Sequence, residues 1–204
     1  IGADLEKAPP FMKRKIFGLI LMGTGILLVS LTLGSRILEL NQRKALIAQT
    51  RAVITQRMEE AQAAEFTEDS FSFAEGPALL RIPSLNLEEA VREGTAADTL
   101  KFSLGHMENT GDPGSAGNCV IAGHRNVVGG FFHDLPSIAI GDEVILEHGG
   151  RPLVYEVYQT LTVTPQDDSV LLSDGTGQLT LITCSSAVEP THRFVVQARL
   201  KSEE

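Results

Sequence analysis

Gln178-Leu179-Thr180-Leu181-Ile182-Thr183-Cys184 reads as a β-strand that delivers a thiol at its C-terminal end. After Gln178 its residues are β-branched or apolar, with neither Gly nor Pro to interrupt the run. Nine positions later Arg193 opens a second β-rich run, Phe194-Val195-Val196-Gln197-Ala198-Arg199-Leu200. If the two runs pair antiparallel through the connection Ser185 to His192, the thiol and the guanidinium meet at one end of the hairpin. Far upstream, Ala122-Gly123-His124-Arg125 closes another such run, Asn118 to Ala122. A free cysteine with a pKa near ~8.5 is only a few per cent thiolate at neutral pH. A histidine beside it and a fixed cation near the reacting carbonyl supply what the thiol lacks.

The surroundings of these runs have the same texture. From Pro77 onward, short β-rich runs alternate with Gly, Pro, Asp and Asn, the pattern of an all-β barrel or sandwich. Strands are expected at Ala78 to Ile82, Ala90 to Arg92, Asn118 to Ala122, Glu143 to Glu147, Pro152 to Thr164, Leu179 to Thr183 and Phe194 to Leu200. Short helices are expected at Ala96 to Leu104 and Phe131 to Leu135. A domain of this size buries an adequate core without disulfides. Of the two cysteines, Cys119 sits inside a strand and reads as a small buried apolar side chain; a disulfide to Cys184 would silence the thiol.

The N-terminal part is different. Ile16 to Gly34 carries no charge and is long enough, at ~1.5 Å per residue, to cross a hydrocarbon core ~30 Å thick. Met12-Lys13-Arg14-Lys15 before it predicts a cytoplasmic N-terminus, with the remainder of the chain outside. The apolar run exceeds the ~7–15 residues of a cleaved signal peptide, and Gly34-Ser35 is a poor cleavage site, so an uncleaved signal-anchor is expected. Arg36 to Glu65, rich in Ala, Leu, Glu, Gln and Arg, predicts a helical stalk, and Thr67 to Ser70 a linker. The organisation is thus a cytoplasmic tail over 1–15, a transmembrane segment over 16–34, a stalk and linker over 35–76 and a β domain over 77–204. A formal charge of −9 across 204 residues argues against a nucleic-acid partner, whose phosphates demand a basic face.

Thr180-Leu181-Ile182-Thr183-Cys184, the trailing Arg193 and the upstream Ala122-Gly123-His124-Arg125 resemble the signature of the sortases, membrane-anchored cysteine transpeptidases of bacterial cell envelopes. Arg81-Ile82-Pro83-Ser84-Leu85, Glu93-Gly94-Thr95, Gly105-His106, Pro113-Gly114, Gly117-Asn118 and Gly141-Asp142 follow in the order and rough spacing of that family, most like its class D branch. The resemblance covers roughly residues 78 to 200. It implies an eight-stranded β-barrel, which the strand count meets if the long run Pro152 to Thr164 is bent or split around its neighbours.

The resemblance also implies the chemistry. Cys184 would attack the carbonyl of a Thr–Gly-like bond in an LPXTG-like C-terminal sorting signal and hold the acyl half as a thioester. The acyl group would then pass to an amine, on a peptidoglycan precursor or a pilin lysine. His124, aligned with the family's catalytic histidine, would move the protons, and Arg193 would stabilise the oxyanion. Thr183 is expected beside the substrate groove with its side chain turned away from that of Cys184. His106 is expected at the edge of the cleft as a second substrate-binding residue. Arg125 is expected to hold local structure. No cofactor or metal is expected: Asp167, Asp168 and Asp174 are scattered acids around a turn. The rival readings are a cysteine peptidase that discharges the thioester to water and a non-catalytic assembly module of the same fold. A regulatory role for the stalk, covering the cleft, is a further possibility.

Overall fold

The computed structural model describes residues 10–63, 72–126, 130–148, 151–184 and 191–201. The expected tail, but for residues 10–15, the Thr67 to Ser70 linker and most of the Ser185 to His192 connection lie outside these. Residues 1–42 and 43–204 form two compact units, each taken by itself below.

The first unit is helical. Apolar segment and stalk belong to one continuous helix, α1 (Pro10–Ala63). Pro10 opens it, where a missing N–H costs nothing because the first turn has no intrahelical acceptor. Its described part Ile20–Gln56 contains a stretch long and apolar enough to cross a membrane, an 18-residue window with a mean hydropathy of 1.7. Leu21, Leu28, Val29 and Leu33 are exposed.

In the second unit, eight strands close into a barrel: β1 (Ala78–Ile82), β2 (Leu87–Glu93), β3 (Leu104–His106), β4 (Asn118–Ala122), β5 (Glu143–His148), β6 (Arg151–Val163), β7 (Gln178–Cys184) and β8 (Arg193–Leu200). Around the barrel the order is β1-β2-β3-β4-β7-β8-β6-β5, with β5 pairing back to β1. Two neighbouring pairs, β2/β3 and β4/β7, are parallel, and the rest are antiparallel. The long sixth strand serves two neighbours by a register shift between Val157 and Gln159. Its first part, up to Glu156, pairs with β5, and the part from Tyr155 to Val163 pairs with β8. A bulge raises local twist and bends a strand, which lets one strand of this length follow the curved wall.

Two elements differ from the sequence expectation. The three-residue β3 was not expected; centred on Gly105, it has too little periodicity to register as a strand. It is joined to β2 by helix α2 (Ala97–Phe102), the crossover that a parallel pair requires. The helix expected at Phe131 to Leu135 is a turn that runs into a single 3-10 turn at Leu135–Ser137. Pro136 disfavours helical backbone at the residue before it, which keeps this piece short.

Side chains alternate across the wall. Cys119 and Ile121 of β4, Leu179 and Leu181 of β7, and Val196 and Ala198 of β8 enter the core with Leu80, Ile82, Phe132, Leu146 and Tyr155. Each fully buried Leu, Ile or Phe contributes roughly 1.5–3 kcal/mol. The Tyr155 hydroxyl is not left unpaired, since it accepts from the Gly114 amide at 2.9 Å.

Candidate active site

Cys184 is brought beside Arg193 by strand parity. With Leu179 and Leu181 in the core, the even-numbered residues of β7 belong to its outer face. In β8 the even residues Val196 and Ala198 point inward, so Arg193 belongs outside. The register pairs Cys184 directly with Arg193. Their side chains meet there, with Arg193 Nη1 3.9 Å from Cys184 Sγ, and both residues are half-buried. A slip of one residue in either strand would turn one of them into the barrel.

His124 reaches the same end through the other neighbour of β7. The parallel β4/β7 register pairs Asn118 with Gln178 and Ala122 with Ile182, a constant offset of 178 − 118 = 60. It extends past the last ladder pair: the Gly123 amide donates to Ile182 O at 3.1 Å, and the Thr183 hydroxyl donates to Gly123 O at 2.9 Å. The same offset carries His124 to the level of Cys184, on the outer face, and His124 is half-buried. Gly123 is required by close approach, because a Cβ there would stand 2.5 Å from Leu104 Cδ2 and 2.7 Å from Phe132 Cδ2. Beyond it the His124 carbonyl accepts from the Phe132 amide at 3.0 Å.

Thr183 is 2 % exposed, and its side chain faces inward as the alternation predicts. Its hydroxyl is committed to Gly123 O, so it clamps the end of β4 to the end of β7. His106 is likewise placed apart from the thiol. It pairs with Ile121 on β3, three positions back from His124 along β4, and is 3 % exposed. Its Nδ1 lies 2.8 Å from Glu93 Oε2, its Nε2 lies 3.1 Å from Thr110 Oγ1 and 3.2 Å from Gly111 O, and its ring stacks on Phe73 at 4.4 Å. Both nitrogens are engaged with the fold. The structure therefore brings together Cys184, Arg193 and the His124 segment, and leaves His106 as part of the packing between β2 and β4.

Arg125 has a longer reach than its expected local role. Its Nη1 donates to Cys184 O at 3.5 Å, linking the His124 segment to the end of β7. Its position next to His124 in the sequence was the only signal of this. Cys119 is free and fully buried, and burial pushes its thiol well above the usual cysteine value. It pairs with Leu179, five residues and ~17 Å before Cys184 and on the opposite face, so the two cysteines cannot bridge. Among the described residues, no group of three or more His, Cys, Asp or Glu could hold a metal ion. The carboxylates of Asp167 and Asp174 bond the backbone amides of Ser169 and Thr176, two residues on.

The arrangement can present a thiol between a donor of protons and a permanent cation, which is what acyl transfer through a thioester requires. Residues 80–201 match the sortase domain. Sortase D of Bacillus subtilis (strain 168) is 26 % identical over 180 residues, covering 84 % of this chain and 89 % of that protein. Sortase A of Bacillus anthracis is 28 % identical over 153 residues, covering 74 % and 72 %. Among solved structures, the Clostridium perfringens Sortase D5 transpeptidase superposes with a TM-score of 0.64 at 25 % identity, covering 79 % of this chain and 99 % of that one. A family match over more than half of the chain, on a closed barrel of the same architecture, has one reading: this chain belongs to the sortase family of transpeptidases, and its relatives include class D sortases.

Proposed function

We propose that this protein is a membrane-anchored sortase whose nucleophile is Cys184, whose proton carrier is His124 and whose oxyanion stabiliser is Arg193. The observation that carries the reading is the register: Cys184 paired with Arg193 across β7/β8, and the β4/β7 offset that brings His124 to the same level. In the reaction, Cys184 gives its thiol proton to His124, and its Sγ bonds to the carbonyl carbon of a Thr–Gly-like peptide in an LPXTG-like sorting signal. The oxygen gains negative charge, which the Arg193 guanidinium stabilises because it stays protonated at any relevant pH. Collapse breaks the C–N bond, and His124 gives its proton to the departing amine. An incoming amine then attacks the thioester and loses a proton to His124, which passes it to the departing sulfur, so that the thiol is restored. The product is a new amide on a cell-wall precursor or a pilin lysine.

The anchor is the apolar segment 16–34, with a tail over 1–15 in the cytoplasm, a stalk and linker over 35–76, and the catalytic domain, 77–204, outside the cytoplasmic membrane. One helix long and apolar enough to span supports this, as does the basic cluster preceding it.

Intact-protein mass spectrometry tests the assignment. The full chain in detergent is mixed with a panel of sorting-signal peptides, beside Cys184→Ala. The expected result is a mass increase equal to the acyl half of one peptide, absent from Cys184→Ala and discharged into a ligated product by added amine. Discharge by water, indifferent to amine, would mark a peptidase instead. An adduct that persists in Cys184→Ala would overturn the nucleophile assignment.

A further inference from the structure

The part of α1 within the second unit packs on the barrel. Thr50 and Ile54 are buried, and Arg51 pairs with Glu88 of β2. Nearer the apolar segment, Arg43 forms an ion pair with Glu89 of β2, whose side chain is 1 % exposed. The same guanidinium lies over the ring of Phe131, with Cζ 5.3 Å from the centroid. Phe131 begins the turn after His124. Its neighbour Phe132 is fully buried, packs where a Cβ on Gly123 would be, and gives its amide to the His124 carbonyl. A continuous series of contacts therefore runs from Glu89 through Arg43, Phe131 and Phe132 to the backbone of His124.

We propose that Arg43 is a positioning residue for His124: held by Glu89, it presses the Phe131-Phe132 turn into place and so sets the distance of the imidazole from Cys184. The physical grounds are the asymmetry of its two contacts. Glu89 sits on a paired strand of a closed barrel and cannot shift without breaking the ladder, where Leu80 is its partner. Among the described residues, the Phe131 turn joins no strand ladder: apart from the Phe132 amide on His124 O, its backbone bonds are single-turn ones such as His133 N to Gly130 O at 3.1 Å, so it is the softer of the two sides. A cation held over an aromatic face, and made rigid by a buried carboxylate, therefore acts on the softer side. The stalk thus works on the site from behind, through the turn, rather than as a cover over the thiol. This inference rests on the reading of His124 as the partner of Cys184.

The test follows the rate of Cys184 alkylation by iodoacetamide against pH, with the full chain in detergent; buried Cys119 is checked by peptide mass to remain unmodified. His124→Ala calibrates the effect of losing the imidazole. Phe131→Leu keeps the Arg43–Glu89 pair and removes the ring. Arg43→Gln combined with Glu89→Gln removes both charges together, so that no orphan carboxylate is buried. Both are expected to move the midpoint of the pH profile in the direction of His124→Ala, by at least half its displacement, at unchanged circular dichroism. Arg43→Lys, which keeps a cation for both contacts, is expected to stay nearer to the parent than either. A profile that moves in His124→Ala but in neither Phe131→Leu nor the double variant overturns the proposal alone. A profile unmoved in His124→Ala overturns the assignment of His124, and the proposal with it.

Discussion

The chain contains two Gly-His pairs at strand ends, Gly105-His106 and Gly123-His124, and the fold gives them opposite surroundings. Both glycines are demanded by close approach: a Cβ on Gly105 would run into the Gly94 carbonyl, and one on Gly123 into Leu104 and Phe132. The histidines then diverge. His106 ends β3 inside a cage of Glu93, Thr110, Gly111 and Phe73, with both ring nitrogens used. His124 lies two residues past the end of β4, half-exposed, with its carbonyl held by the Phe132 amide and the end of β7 beside it. A histidine satisfied on every side stabilises a fold; one held by its backbone at the level of a thiol is suited to the proton carrying proposed for it. The dipeptide is the same, and only the pairing partner distinguishes them.

The contrast is broken most decisively by exchanging the losses. His124→Asn is expected to slow transpeptidation by ~10²–10⁴ while leaving the denaturation midpoint close to the parent, as read by single-turnover product formation and thermal melting. His106→Gln is expected to leave the rate within a few-fold. If His106→Gln abolished turnover in a protein of parental stability, the division between the two histidines would be wrong. Next in size, Arg193→Gln is expected to lower turnover by ~10²–10³, the usual cost of one oxyanion donor, with smaller change in substrate affinity. The measurement is turnover against peptide concentration, and an effect confined to KM would reassign Arg193 to substrate binding.

Stability gives the converse. His106→Ala is expected to cost about 2–4 kcal/mol in denaturant unfolding, because it leaves a cavity against Phe73 and strips Thr110 and Glu93 of a partner. A smaller effect comes from Cys119, whose thiol is raised first by burial and then by the charges of Asp112 and Glu93. The unfolded chain releases this proton near pH ~8.5, whereas the folded protein retains it, so folding stability falls as pH rises above that value. The slope is at most ~1.4 kcal/mol per pH unit, and Cys119→Val is expected to flatten it between pH 8.5 and 10 in unfolding curves. Least of all, Asp142 accepts from the Ala139 amide at 2.9 Å and from Ser84 at 2.8 Å, which hold its carboxyl below the usual range. Stability from this group is present above the ordinary aspartate value and lost as pH falls through the lowered one. Asp142→Asn is expected to cost less than ~1 kcal/mol, since the group is exposed.

The strands β1, β4, β7 and β8 were readable to within a residue or two, because they are uninterrupted runs rich in apolar and β-branched residues, and β1, β4 and β7 are buried on both faces over most of their length. The three-residue β3 left no such record. Nor did the turn at Phe131, whose apolar residues resemble a helix until Pro136 is weighed. At the site, the meeting of Cys184 with Arg193 and the approach of the His124 segment were legible from motif and spacing, while the bonds of Thr183 to Gly123 O and of His106 to Glu93, Thr110 and Gly111 were not. A hydroxyl and an imidazole next to a catalytic motif are alike in sequence whether they face substrate or a backbone carbonyl. Arg43, eighty-one positions before His124 (124 − 43 = 81), carried no local signal.

By itself the sequence determined the apolar helix, the β character of the domain and the residues able to carry thiol chemistry, since each of these is written in composition or period over a few consecutive positions. Only the tertiary structure decided which of two Gly-His pairs lies at the level of Cys184, that Thr183 bonds Gly123 O, and that Arg43 lies over the ring of Phe131. These depend on which strands become neighbours and in what register. In a barrel with two parallel pairs, neighbours are set by closure of the whole wall and not by adjacency along the chain.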